Sequence, residues 1–124
     1  MLSVVKVILV ALAGSLGALA RYGIAVAVGP RTFPWSTLAI NVSGSFVLGL
    51  VLALSVDRGW QENVTIPIAV GFLGAYTTFS TFSYETFTLA RTDRVALAMA
   101  YVVVSVSVGF LAAGAGYALA RKIA

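Results

Sequence analysis

The sequence contains no histidine and no cysteine, and four of its 124 residues are acidic. Imidazole and thiolate groups supply most metal sites and many of the nucleophile–base pairs of enzymes. Without them the usual metal and catalytic constellations cannot be assembled, so the sequence predicts that the protein is not an enzyme. Without cysteine, disulfides give no information about the redox compartment either. The acidic residues are Asp57, Glu62, Glu85 and Asp93.

Charge is scarce as well, because charged residues make up 10% of the chain and hydrophobic residues 60%. In soluble domains about a quarter of the residues are charged. Too few polar residues remain here to cover a globule, so the composition predicts an integral membrane protein. The length predicts a single domain over residues 1–124. The net charge of +4 comes from cations scattered between apolar runs, a pattern that predicts no nucleic-acid partner.

Four apolar runs are each long enough to cross a bilayer as a helix, which requires about 20 residues. Turn residues and charges separate the runs, most clearly between residues 29 and 34, where two prolines and a glycine occur. The sequence therefore predicts an all-α membrane protein with a single domain of four transmembrane helices. The predicted spans cover residues 3–28, 35–56, 64–90 and 95–120.

The first span has a second interpretation. Lys6, an apolar run and the small residues Ala18-Leu19-Ala20 are also typical of a signal peptide with its cleavage site. The apolar run continues past Arg21 to Val28, however, and a signal peptide does not require that length. The length of the run therefore favours a transmembrane helix.

The cations are divided almost evenly between the two sides of the membrane. With four spans, the termini and the second loop share one side, which carries four cations; the other carries three, or four if Arg21 reaches it. An excess of lysine and arginine orients membrane proteins, and this chain has almost none. Either another feature orients the chain, or copies insert both ways and pair as an antiparallel homodimer. A four-span chain has little room to enclose a pore alone, which favours the dimer.

The third span carries glycines, hydroxyls and aromatics for which a lipid-facing helix has no use. They are concentrated in residues 71–83. Hydroxyls and freed backbone groups at membrane depth are tolerated where they face protein, water or an ion. We therefore expect this helix to break between Gly74 and Thr78 and to line a polar path. The carbonyl oxygens that such a break frees are ligands for a cation. This pattern indicates transport.

Two phenylalanines, Phe79 and Phe82, lie three residues apart on one face of the third span. They are either packing residues or contacts for an anion, because the edge of an aromatic ring is electropositive. The hydroxyls of Ser80, Thr81 and Ser83 add hydrogen-bond donors nearby.

Polar residues also occur inside the second and fourth spans. Asn41 shares a helical face with Thr37 and Ser45. It is either a clamp between helices or a pore-lining donor to an anion. Tyr101 and Ser105 lie four residues apart in the fourth span, where they form either a hydroxyl stripe along a path or hydroxyls bonded to their own helix.

Arg21 and Glu85 are charges within predicted spans. An arginine there must snorkel or face water, and near a pore mouth Arg21 would raise the local concentration of anions. Glu85 has the wrong sign for an anion path. Its possible roles are a cap, a partner for an arginine, or a member of a vestibule.

Three motifs of the chain occur together: Gly17-Ala-Leu-Ala-Arg21, Asn41-Val-Ser-Gly44-Ser-Phe and Gly71-Phe-Leu-Gly74-Ala-Tyr-Thr77-Thr-Phe79-Ser-Thr-Phe82-Ser. In this combination the chain resembles the Fluc-type fluoride channels of bacteria, also called the CrcB family. The resemblance covers the whole chain, at matching length and with four spans. The Thr-Thr-Phe-Ser-Thr-Phe element within an apolar span is its most specific part.

The resemblance implies an antiparallel, dual-topology homodimer in the lipid bilayer of the bacterial cytoplasmic (inner) membrane. It implies two pores per dimer, through which fluoride leaves the cell passively and its toxicity is relieved. It also implies a structural sodium ion at the centre of the dimer and no organic cofactor.

Residue roles follow from the same resemblance. The residues matching Phe79 and Phe82 present their ring edges to fluoride, each pore drawing on both subunits, and the residue matching Asn41 lies along the pore. The carbonyls matching Gly74 and Thr77, from both chains, hold the sodium ion. The remaining matches are Arg21 near the aqueous vestibule, and Tyr101 and Ser105 in a polar track on the last helix, which some relatives continue with a hydroxyl where this chain has Gly109.

Two other functions fit a small four-span chain. A dual-topology multidrug transporter shares the size and the charge balance, but it requires a carboxylate within the membrane to exchange protons for a cationic drug. The first span has no such group, since its charges are Lys6 and Arg21. A non-transporting membrane subunit would use every polar group as a packing clamp.

Overall fold

The computed structural model describes residues 2–124, and these residues fold entirely into helices, turns and short connections. Four stretches are long and apolar enough to cross a membrane, which confirms the prediction of an all-helical chain with four spans. Their bounds agree with the predicted ones to within three residues. They are α1 (Val4–Val28), α2 (Trp35–Asp57), a third stretch from Glu62 to Arg91, and α6 (Val95–Ile123).

Local sequence signals set the ends of α1 and α2. Ser3 caps α1, because its hydroxyl accepts a hydrogen bond from the backbone N–H of Lys6. Gly29 ends the helix with a φ of 69°, a conformation that glycine adopts without steric cost. Pro34 directly precedes α2 and has no N–H to contribute to a preceding turn. α1 runs without a break through residues 18–20, where the signal-peptide interpretation placed a cleavage site.

The third stretch is made of four helical pieces. It begins with α3 (Glu62–Ile66), widens into a π-helical segment (Pro67–Leu73), returns to α-helix in α4 (Gly74–Tyr76), and resumes after two residues as α5 (Phe79–Arg91). The predicted break is present between α4 and α5. Thr77 and Thr78 are extended there, with ψ values of 158° and 113°.

Close backbone contacts join the helices in two layers. α2 packs along α6, and α1 packs against the π-helical segment and α4. A side-chain carbon added at Gly49 or Gly116 would overlap a backbone carbonyl of the facing helix, and so would one added at Gly17. Small residues allow such an approach between helices in a membrane, so the bundle is tightly packed at these three positions.

Most large apolar side chains point outward, and the buried ones form two clusters. One cluster, around Ala120, lies near the end of the bundle that holds both termini. The other surrounds Tyr101 near the opposite end. An apolar exterior over small cores is the arrangement expected of helices that are surrounded by lipid.

Ionic contacts tie the helix ends together on the terminal side. Lys6 pairs with Glu62, and Arg121 pairs with Asp57 at 2.6 Å. Arg58 donates to the backbone carbonyl of Ile123 at 3.0 Å. These contacts connect α1 to α3 and α2 to α6 where the chain leaves the apolar zone.

Candidate ion-binding site

A pocket of about 340 Å³ lies between α2, the break in the third stretch, and α6. Four of the predicted pore residues line it together: Asn41, Phe79, Phe82 and Ser105. They come from three separate elements, so only the folded bundle brings them together. Gly74 and Thr77 also line this pocket.

Asn41 holds the break in the third stretch in place. Its amide nitrogen donates to the carbonyl of Thr78 at 3.1 Å, and its amide oxygen accepts from the N–H of the same residue at 2.8 Å. The amide thereby replaces both hydrogen bonds that Thr78 would have made in a continuous helix. Of the two predicted alternatives, the clamp is therefore realised within the chain. One amide N–H remains for another partner, since an asparagine nitrogen carries two.

Thr78 also begins α5. Its hydroxyl accepts from the N–H of Thr81 at 3.2 Å and donates to the Thr81 hydroxyl at 2.9 Å. Such a cap satisfies a donor that the first turn of a helix leaves open. The break is thus stabilised from both sides, by Asn41 across the helix interface and by Thr78 along the chain.

Phe79 and Phe82 differ in their surroundings. Their ring centroids are 5.9 Å apart, with the planes tilted by 49°. Phe82 packs edge to face on Tyr101 with centroids 5.0 Å apart, whereas Phe79 is 79% exposed in the single chain. Phe82 is therefore supported by its own chain, and Phe79 has an open side.

Ser105 contributes a buried hydroxyl that has no hydrogen-bond partner within residues 2–124. An unpaired buried hydroxyl is unfavourable by about 1–3 kcal/mol. Because Ser105 is one of the residues that line the pocket, a bound ion or water is the partner that the site would supply.

Tyr101 lies behind the pocket instead of in its wall. It is fully buried, and its hydroxyl donates to Glu85 Oε2 at 2.8 Å. The other carboxylate oxygen accepts from the Thr37 hydroxyl at 2.9 Å. Glu85 is therefore held by two hydroxyls from two helices, a set of partners that the sequence left open. The signal was present, since Thr37 shares a face with Asn41 and Glu85 shares one with Phe82.

A second pocket, of about 250 Å³, lies on the other side of the break and contains Arg21. Thr37, Thr81 and Glu85 line it as well. Arg21 donates from Nε to the carbonyl of Ala75 at 3.1 Å, so it binds one of the backbone oxygens that the break leaves free. The predicted vestibule residue and Thr81 are thus close together, next to the larger pocket.

Ser80 and Ser83 do not join either pocket in the single chain. Both are exposed on α5, as is Phe79. The Ser80 hydroxyl lies 3.4 Å from that of Thr78, and no other described partner is near it. α5 therefore presents two hydroxyls and a phenyl ring on its outer side.

The carbonyl oxygens of Gly74 and Thr77 accept no hydrogen bond from the rest of residues 2–124. Thr77 itself donates through both its N–H, at 3.0 Å, and its hydroxyl, at 2.9 Å, to the carbonyl of Leu73. Free carbonyls are ligands for hard cations. No cluster of acidic side chains that could hold a metal ion occurs in the described part of the chain.

Taken together, the four candidate spans and the broken third stretch define a multi-pass membrane protein, and the pocket beside the break is lined by no charged residue of the described part of the chain. Residues 8–117 match the model of the family described as CrcB-like protein, Camphor Resistance (CrcB). The chain belongs to this family.

Close relatives carry the name of a channel. The chain is 44% identical to the fluoride-specific ion channel FluC of Hahella chejuensis over 98% of its own length and 99% of the relative's. It is 43% identical to the fluoride-specific ion channel FluC of Thermus thermophilus, with 95% of each chain covered. A protein of the same name from Geobacter sulfurreducens is 37% identical over 94% of this chain.

Proposed function

We propose that the protein is a fluoride-specific ion channel. The observation that carries the proposal is the pocket of about 340 Å³, whose lining includes Asn41, Ser105 and two phenylalanines. Its described lining contains no charged residue of either sign. The names of the relatives supply the identity of the ion.

The chemistry of the lining suits a small, strongly hydrated anion. A pore for such an ion must replace water with hydrogen-bond donors, and an amide N–H and a hydroxyl are donors. Ring edges add a weaker positive potential. Weak contacts let the ion leave as well as enter, which conduction requires. No chain of acids and histidines crosses the sequence, which favours passive flow down the fluoride gradient over coupling to protons.

The exposed side of α5 supports an antiparallel homodimer with two pores. Ser80, Ser83 and the largely exposed Phe79 face outward where lipid offers no hydrogen bond. A second copy would cover them and would bring its own ring edges to each pore. With the cations evenly divided, both orientations would insert. Single cysteine tags at the C-terminus should then label from both sides of the membrane, and labelling from one side would contradict the dimer.

A structural sodium ion fits the carbonyls of Gly74 and Thr77. Both oxygens are free of hydrogen bonds within the described residues, and a second chain would double the number of oxygen ligands. Sodium is held by oxygen ligands, so backbone carbonyls are suitable. Because the ligands are main-chain atoms, Thr77→Ser should leave the site largely intact.

The channel would act in the bacterial cytoplasmic membrane, where passive flow lets accumulated fluoride leave the cell and relieves its toxicity. The decisive experiment is fluoride efflux from liposomes that contain the purified protein, followed with a fluoride electrode. Rapid fluoride loss with chloride retained supports the proposal. Efflux no faster than from protein-free liposomes would exclude it and would favour a non-transporting subunit, whereas drug-dependent proton movement would favour the multidrug transporter.

A further inference from the structure

Ser45 is a further hydroxyl-bearing residue in the lining of the pocket. It lies one helical turn after Asn41 on α2, in the lining that includes Ser105 and Phe82. Its Oγ donates to the carbonyl of Asn41 at 2.7 Å. A serine hydroxyl rotates about a single bond, and its bond to its own helix can be exchanged for a bond to another acceptor. It can therefore turn from the carbonyl toward an ion in the pocket.

The position facing Ser45 on α6 has no side chain. Tyr101, Ser105 and Gly109 follow one another at four-residue spacing and share a face of α6. The two hydroxyls of this stripe end at Gly109. A side-chain carbon built at Gly109 has one neighbouring atom within 4 Å, the Oγ of Ser45, at 3.8 Å. The Ser45 hydroxyl on α2 thus lies next to Gly109, the position at which the α6 stripe has no hydroxyl.

Packing does not explain the glycine at position 109. At Gly49 and Gly116, in the same interface between α2 and α6, an added carbon would overlap the backbone of the facing helix. At Gly109 the same carbon would make an ordinary contact with Ser45. The interface therefore has room for a side-chain carbon at position 109, next to Ser45.

We propose that Ser45 is a further pore-lining residue, whose hydroxyl supplies from α2 the donor that α6 lacks at Gly109. This inference rests on the proposed function as a fluoride channel. According to this inference, the path has one hydroxyl at this depth, and either α2 or α6 can provide it. A hydroxyl moved from position 45 to position 109 should therefore preserve fluoride transport.

The test is a cycle of four proteins measured in the same liposome efflux assay: the wild type, Ser45→Ala, Gly109→Ser and the double variant. Ser45→Ala should slow fluoride efflux by roughly tenfold or more, the value of a hydrogen bond to a charged partner. The double variant should recover to within about threefold of the wild type, because Gly109→Ser restores the donor. Ser15→Ala is the matched control, since Ser15 donates to Ala11 on α1 at 2.9 Å and lines neither pocket.

Each outcome decides the question. Wild-type efflux by Ser45→Ala would overturn the proposal. So would a loss that Gly109→Ser does not repair in a normally assembled protein, because that result assigns Ser45 to holding the backbone of Asn41. If the wild type itself shows no fluoride efflux, the proposed function fails together with this inference, which separates the two cases.

A second comparison covers the case in which Gly109→Ser does not assemble. Ser45→Thr and Ser45→Val place side chains of the same shape at one position, with and without a hydroxyl. Transport by the threonine variant and roughly tenfold slower transport by the valine variant would support the proposal. Equal rates in the two would overturn it.

Discussion

The interface between α2 and α6 and the broken third stretch differ in what holds their backbones in place. In the interface, Gly49 and Gly116 let backbones touch, and a single added carbon would overlap the facing chain. In the third stretch the backbone separates from its own hydrogen bonds at Thr77 and Thr78, and side chains from other helices hold it. The rigid pair carries no free polar group at its glycine contacts, whereas the break gathers several. The firmly packed pair of α2 and α6 is what permits the neighbouring backbone to break its helical hydrogen bonds.

The largest effect is expected where this packed pair itself is altered. Gly116→Val would drive a side chain into the carbonyl of Phe46, with no flexible atom able to give way. We expect destabilisation beyond about 4 kcal/mol, and little folded protein after purification. Gly114→Val on the same helix is the control, because nothing lies within 4 Å of an added carbon there. Equal yields of the two variants would show that α2 and α6 are not rigidly joined.

A smaller loss is expected from the clamp on the break. Asn41→Leu keeps the side chain large but leaves the N–H and carbonyl of Thr78 unpaired. We expect about 2–4 kcal/mol of destabilisation, measured by thermal unfolding in detergent, together with loss of fluoride efflux. Ser55→Ala, which removes only a bond of 2.8 Å within α2, should change neither. An Asn41→Leu protein with wild-type efflux would show that the break does not need this amide.

Changes to the two phenylalanines should separate transport from stability. In Phe79→Ile and Phe82→Ile the protein should elute normally in size exclusion, while fluoride efflux is abolished or strongly slowed. Packing residues would behave in the opposite way, with destabilisation of roughly 1–3 kcal/mol and intact transport. Phe110→Ile serves as the control, because Phe110 is 78% exposed on α6 and lines neither pocket. Unchanged efflux in both test variants would remove these rings from the conduction path.

The smallest effect is expected at the ionic contacts on the terminal side. Arg121→Gln removes the ion pair with Asp57. The Arg121 side chain in this pair is 58% exposed. Exposed pairs contribute about 0–1 kcal/mol and are screened by salt. Thermal unfolding should shift only slightly, and the shift should vanish at high ionic strength. A large loss of thermal stability that does not depend on salt would mean that the terminal side is part of the tightly packed interface between α2 and α6.

The sequence predicted the spans well, because uninterrupted apolar runs of sufficient length leave few alternatives in a membrane. It also located the break, since glycines and hydroxyls between Gly74 and Thr78 have no use in a lipid-facing helix. The π-helical segment Pro67–Leu73 had no comparable signal. Its residues are as apolar as those of an α-helix, and the segment packs against α1.

The partners of individual polar groups could not be predicted in the same way. Asn41 and Thr78 are 37 residues apart in the chain, and their pairing depends on how α2 crosses the break. The same holds for Glu85, whose two partners come from α2 and α6. Tyr101 belongs to the predicted stripe on α6, yet it packs against Phe82 and is not part of the pocket lining.

The division of the third stretch into pieces has a consequence for how the chain enters the membrane during synthesis. α5 has 13 residues, about 20 Å of helix, which is shorter than the roughly 30 Å hydrocarbon layer. The stretch as a whole is also the least apolar of the four candidate spans. Neither half is long enough to cross that layer alone, so the two halves would have to insert together, with support from helices that are already in place. Its capture by α1 and α2 would make the order of synthesis a determinant of successful assembly.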